Sequence, residues 1–127
     1  AYGTMAVKTD GTLWTWGGRS DGSYEYGALG FPVTISYSSP IQIGALTNWK
    51  SVEYNGYSNS FMIKTDGTLW GMGINIYGSL GISPDVNFNN GIYYNSPVQI
   101  GTLNTWRQVA VGYSLNTMTA AIADGYY

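Results

Sequence analysis

Short runs of alternating apolar and polar residues, punctuated by glycine, follow one another along the whole chain, and none keeps a helical period for three turns. In SFMIKTDGTLWGMG, residues 60–73, Phe61 and Ile63 belong to one run, Leu69 and Trp70 open the next, and Thr65, Asp66, Gly67 and Thr68 lie between them. Asp-Gly between two such runs predicts a tight β-hairpin, because glycine accepts the positive φ that the turn requires. Asp10-Gly11 and Asp124-Gly125 repeat the signal. A third run, SPVQIG, carries Pro97, which lacks an N–H and so suits a strand start or an edge. In the fourth, TWRQVAV, plain alternation sets Trp106, Gln108 and Ala110 against Arg107, Val109 and Val111. Four short strands per unit are expected.

The units are copies of one another. KTDGTLWTWG at residues 8–17 returns as KTDGTLWGMG at 64–73, and SPIQIGALTNWKSV from Ser39 returns as SPVQIGTLNTWRQV from Ser96. Copy one therefore occupies about 1–48, copy two about 49–105, and a partial third copy about 106–127. The copies differ in length at two places, GGRSDGSYEYG in copy one and ISPDVNFNNGIYYNSP in copy two, as surface loops between elements of fixed register tolerate. The expected architecture is all-β, a single repeat array of β-propeller blades with about four antiparallel strands each. A two-sheet sandwich made by internal duplication is the alternative; a whole cassette repeated in order packs more simply by rotation about an axis.

The order W-[KR]-x-V, DGTLW-x-x-G, YG-x-LG, SP-[IV]-Q-I resembles the regulator of chromosome condensation repeat, particularly the copies in large bacterial and phage proteins. The resemblance covers nearly the whole chain. It implies a circular propeller, commonly of seven blades, whose sequence repeats are offset from its structural blades. Ala28 and Ser79 stand where that family usually has Gln, and Tyr57-Ser58-Asn59-Ser60 and Tyr113-Ser114-Leu115-Asn116 stand where a His is common. The nucleotide exchange known for the family's eukaryotic founder maps to no position of this sequence.

Composition narrows the chemistry. Histidine and cysteine are absent, which removes the Ser-His-Asp arrangement, thiolate metal sites and disulfides. With 9% charged residues and a net charge of −2, five basic residues spread along the sequence offer no stripe for phosphates, so nucleic acid is not an expected partner. No apolar run approaches the ~20 residues of a membrane helix, and no signal peptide is visible, so membrane insertion is not expected. No catalytic residue, cofactor or metal is expected: Asp10 and Asp66 read as turn residues, the glycines of residues 17–27 do not open a helix, and Asp85 is the lone carboxylate of its Asn-rich loop.

The tryptophans Trp14, Trp49, Trp70 and Trp106 recur at fixed places in the cassette, which points to packing between sheets; Trp16 is the exception, since its counterpart in the other copy is Met72. The unequal loops carry Tyr24, Tyr26, Phe88, Tyr93 and Tyr94 among Ser, Asn and Gly, a composition suited to recognition, and these are the candidate partner-binding residues. Tolerated insertion and packing on a neighbouring subunit are the other readings. About two blades are fewer than a closed ring needs, so further blades are expected from the same parent chain or from identical subunits. The expected function is a non-enzymatic structural and interaction module of an extracellular or virion assembly: a phage tail, fibre or decoration protein, or a surface adhesin binding a glycan or receptor. A carbohydrate-binding propeller and a regulator of a small GTPase are the alternatives.

Overall fold

The computed structural model describes residues 3–18, 27–31, 35–75, 78–82 and 93–112, together with the backbone of 119–123. These contain strands and turns and no helix. Strands β1 (Gly3–Val7), β2 (Leu13–Gly17) and β3 (Tyr37–Gln42) form one antiparallel meander. Strands β4 (Trp49–Tyr54), β5 (Asn59–Lys64), β6 (Leu69–Ile74) and β7 (Tyr93–Gln99) form the second, and β8 (Trp106–Val111) pairs with β9 (Thr119–Ala123) in the third. The sheets are propeller blades, stacked in chain order.

Two strands depart from the sequence reading. The third run starts at Tyr93 rather than beside Pro97, so Tyr93 and Tyr94 are strand residues rather than loop residues. Pro97 sits inside β7, where the pairing jumps from Gly71 opposite Val98 to Gly73 opposite Tyr94, leaving residues 95–97 as a bulge on an edge strand. A bulge on an edge is where a residue without an N–H does no harm. Pro40 lies in the equivalent jump of β3 against β2.

The second departure is in β8. Plain alternation separates Trp106 from Val109, yet Trp106, Val109 and Val111 all pack into one apolar cluster. A register shift between Trp106 and Gln108 inserts one residue and reverses the phase. The same shift in β4 brings Trp49 and Val52 to one side.

The middle sheet is covered on both faces, and β5 is buried along its whole length. Met62 and Met72 turn toward the first sheet and complete a core with Leu13, Leu29, Phe31, Ile43 and Trp49. Phe61, Ile63 and Leu69 turn the other way, against Leu80, Ile100 and Val109. Fully burying a side chain such as Met62 or Ile63 contributes about 1.5–3 kcal/mol. A buried hydroxyl at the junction is satisfied across it: Ser60 on β5 donates to the Ala28 carbonyl of the preceding blade at 2.6 Å. Within the first blade, Thr15 donates to Leu29 O at 2.6 Å.

Candidate interaction surface

The recurring Asp-Gly-Thr-Leu-Trp phrase builds the same turn twice. Asp66 Oδ1 accepts the Thr68 N–H at 3.0 Å and its hydroxyl at 2.6 Å, and Thr68 Oγ1 in turn accepts the Trp70 indole N–H at 2.8 Å. Asp10, Thr12 and Trp14 repeat the relay at 3.1, 2.6 and 2.7 Å. The bonds from the Thr12 and Thr68 hydroxyls, then those from their N–H groups, hold both carboxyls below the ordinary value of 3.8, with Lys8 and Lys64 nearby adding to the effect. The acids are therefore occupied in fixing their turns, as the sequence suggests.

Each turn then docks on the entry to the next blade. Gly11 and Gly67 both have φ +84°, and a Cβ on either would meet a carbonyl oxygen at 1.9 Å, that of Thr47 or of Asn104. The Trp49 N–H donates to Gly11 O and the Trp106 N–H to Gly67 O, both at 3.0 Å. Thr65 N–H adds a bond to Asn48 O at 2.8 Å.

Beside each docked turn opens a cleft. One, of about 460 Å³, is bordered by Lys8, Asp10, Thr47, Trp49, Lys50 and Thr65. The other, of about 330 Å³, is bordered by Lys50, Asp66, Asn104, Thr105, Trp106 and Arg107. Lys50 belongs to both. Lys64 has a different role: it is buried, with its ammonium 3.8 Å from the Trp70 ring centroid and 5.2 Å from that of Trp49. The two rings meet edge to face at 6.1 Å.

Four of the five basic residues of the chain, Lys8, Lys50, Lys64 and Arg107, thus gather at the turn end of the sheets. The even spread read from the sequence, on which the expectation against nucleic acid rested, is not the arrangement in space. The signal was present in the repeat itself, since Lys8 aligns with Lys64 and Lys50 with Arg107. The same end carries a second repeated feature, Leu46 and Leu103, which are 48% and 56% exposed on the segments that lead into β4 and β8.

The opposite end holds two of the residues singled out in the sequence, Tyr93 and Tyr94. Tyr24, Tyr26 and Phe88 lie outside the described residues. Tyr93 is exposed at the start of β7, opposite Ile74. Tyr94 is half-buried against the second core, as its repeat counterpart Tyr37 is against the first, where Tyr37 meets the Phe31 ring edge-on at 4.9 Å. The turn at Gly27 approaches this strand closely: a Cβ there would lie 2.8 Å from Tyr94 O and 2.9 Å from Asn95. The end of the first unequal loop and the start of β7 are therefore neighbours.

The tryptophans serve mainly as packing. Trp49 is buried in the first core, with Trp70 packed against it, and Trp106 packs against the second. Trp16 is half-buried, whereas Met72 at the equivalent place is fully buried between sheets.

Comparison with known proteins agrees with this architecture. A family model described as the regulator of chromosome condensation (RCC1) repeat matches residues 66–118. That span takes β6 and β7 from one sheet and β8 from the next, so the sequence repeat is offset from the blade. Prp20p from Saccharomyces cerevisiae, characterised for its binding to Gsp1p and histones, is similar with a TM-score of 0.71 at 18% identity, over 96% of this chain and 29% of that one. Human WBSCR16 gives 0.60 at 19%, over 84% and 25%. Yeast RCC1 (Prp20) bound to Kap60 gives 0.65 at 22%, over 87% and 24%. At these identities the likeness is one of fold, and this chain spans between 24% and 29% of the length of those structures.

Proposed function

We propose that this chain, which carries an RCC1 repeat within stacked propeller blades, is a non-enzymatic module that binds other proteins. The observation that carries the reading is the repeated turn end. Adjacent blades present equivalent clefts, cations and exposed leucines on a scaffold fixed by backbone bonds between sheets. A repeated, rigid, mixed apolar and basic surface suits recognition of another macromolecule. Catalysis finds no support in the same place, because Asp10 and Asp66 are each engaged by their own threonine.

Within this reading the chain serves an extracellular or virion assembly, with further blades from its parent chain or from identical subunits. That placement rests on the sequence resemblance and on the uncharged, Asn- and Tyr-rich composition. A regulator of a small GTPase is the second reading, favoured by a fold shared with Prp20p, which binds Gsp1p.

The test is retention of proteins from the native source by the immobilised chain, quantified by mass spectrometry. The reading expects one or a few proteins retained in stoichiometric amounts and released by substitutions on an exposed end. Turnover of a small substrate, with no protein retained, would replace it with an enzymatic one. Immunogold labelling of particles and cells tests the placement separately; a protein found free in the cytosol removes it.

A further inference from the structure

We infer that the turn end of adjacent blades is a docking site for an acidic protein segment with leucine-like anchors, laid across the blade junction. The inference rests on the protein-binding reading above and names the partner's chemistry.

The charge of the surface selects the partner. The chain as a whole is negative, yet the two clefts are bordered by Lys8, Lys50 and Arg107, with Asp10 and Asp66 as the carboxylates. Both carboxylates are committed. Asp10 takes two bonds from Thr12 on Oδ1, and its Oδ2 lies 3.7 Å from Lys8 Nζ. Asp66 takes two from Thr68. Lys50, at the point shared by the two clefts, is exposed and has no ion-pair partner among the described residues. An anionic segment entering either cleft meets Lys50 first, and in the second cleft meets Arg107 as well.

The apolar part selects a peptide over a polyphosphate. Leu46 and Leu103 occupy equivalent positions at this end, each roughly half exposed. Two isolated leucines mean little on most surfaces, but here they recur one blade apart beside the clefts. Packed sheets lie roughly 10 Å apart. In an extended segment, leucines four positions apart with three acidic residues between them lie on one face about 13 Å apart, and their side chains can lean inward to reach both blades. The clefts offer it hydrogen-bonding groups on Thr47, Thr65, Asn104 and Thr105.

The test uses the whole chain and four fluorescein-labelled probes, read by anisotropy. They are a peptide of leucines separated by three acidic residues, the same peptide with lysine for each acid, a neutral serine version, and a single-stranded oligonucleotide. The acidic peptide is expected to bind best. Its affinity should fall roughly tenfold or more in K50E/R107E, and fall again between roughly 0.05 and 0.5 M salt, as for steered rim charges. L46S/L103S should weaken it without changing the salt dependence, and Tyr93→Ser should leave it intact. All substituted side chains are exposed, and circular dichroism confirms that each variant is folded.

Preference for the lysine or neutral peptide, or loss of binding on Tyr93→Ser alone, would overturn the inference while leaving protein recognition standing. Preference for the oligonucleotide would overturn both. Absence of binding to every probe would overturn the inference, and the retention experiment would then decide the broader reading by itself.

Discussion

The backbone N–H of Trp106 donates to the carbonyl of Gly67 at 3.0 Å, and the same bond joins Trp49 to Gly11. A hairpin turn in one blade thereby fixes the first residue of the next. The bond requires the turn to lie flat against the incoming chain, which explains why glycine and a left-handed backbone coincide there. Gly67→Ala places a methyl carbon against the Asn104 carbonyl in a conformation that alanine disfavours. The expected loss is about 2–4 kcal/mol, read by chemical denaturation. Gly44→Ala is the control: φ is +69° but no atom lies within 4 Å, so the cost should stay near 1 kcal/mol.

Met62 tests the junction from the other side. It is fully buried and completes the first core from a strand of the second sheet. Met62→Ala should cost about 2–5 kcal/mol in the same assay. Leu46→Ala, at an exposed position, should change stability by less than about 0.5 kcal/mol.

Lys64 is held by aromatic faces. Lys64→Met keeps the aliphatic stem but removes the cation lying 3.8 Å over Trp70. A loss of about 1–2 kcal/mol is expected, with a change in tryptophan emission. Lys8→Met, where the ammonium is 5.1 Å from the Trp14 ring and the side chain is exposed, should lose no more than about 0.5 kcal/mol.

Acid should loosen the turns. Both Asp10 and Asp66 titrate below 3.8 in the folded chain, so the unfolded chain binds their protons first as pH falls. Their contribution is full above 3.8 and disappears as pH drops through the lower folded-state values. The melting temperature of D10N/D66N should therefore lie below that of the parent at neutral pH, and the gap should close in strong acid. A gap independent of pH would show that the threonine bonds do not act through the charged carboxylates.

Much of the fold was legible in the sequence because its signals were local or periodic. Asp-Gly marked the hairpins at Gly11 and Gly67, and the repeat marked equivalent strands. The alternation of β8 was misread because a bulge after Trp106 adds one residue, and nothing in TWRQVAV announces it. Tyr93 was placed in a loop because the strand boundary follows pairing with Ile74, a partner distant in sequence. The candidate surface was less legible still. Lys50 and Arg107 are far apart in the chain, and only the stacking of one blade on the next brings them to adjacent clefts. Reading charge along the chain dispersed what reading it modulo the repeat would have gathered.

The most direct measurement is the map of amide chemical-shift changes when the acidic leucine peptide is titrated into the isotope-labelled chain. Changes are expected at Thr9, Gly11, Leu46, Lys50 and residues 103–107, with Tyr93 and Asn95 unmoved. Changes centred on Tyr93, or none at saturating peptide, would contradict docking at the turn end.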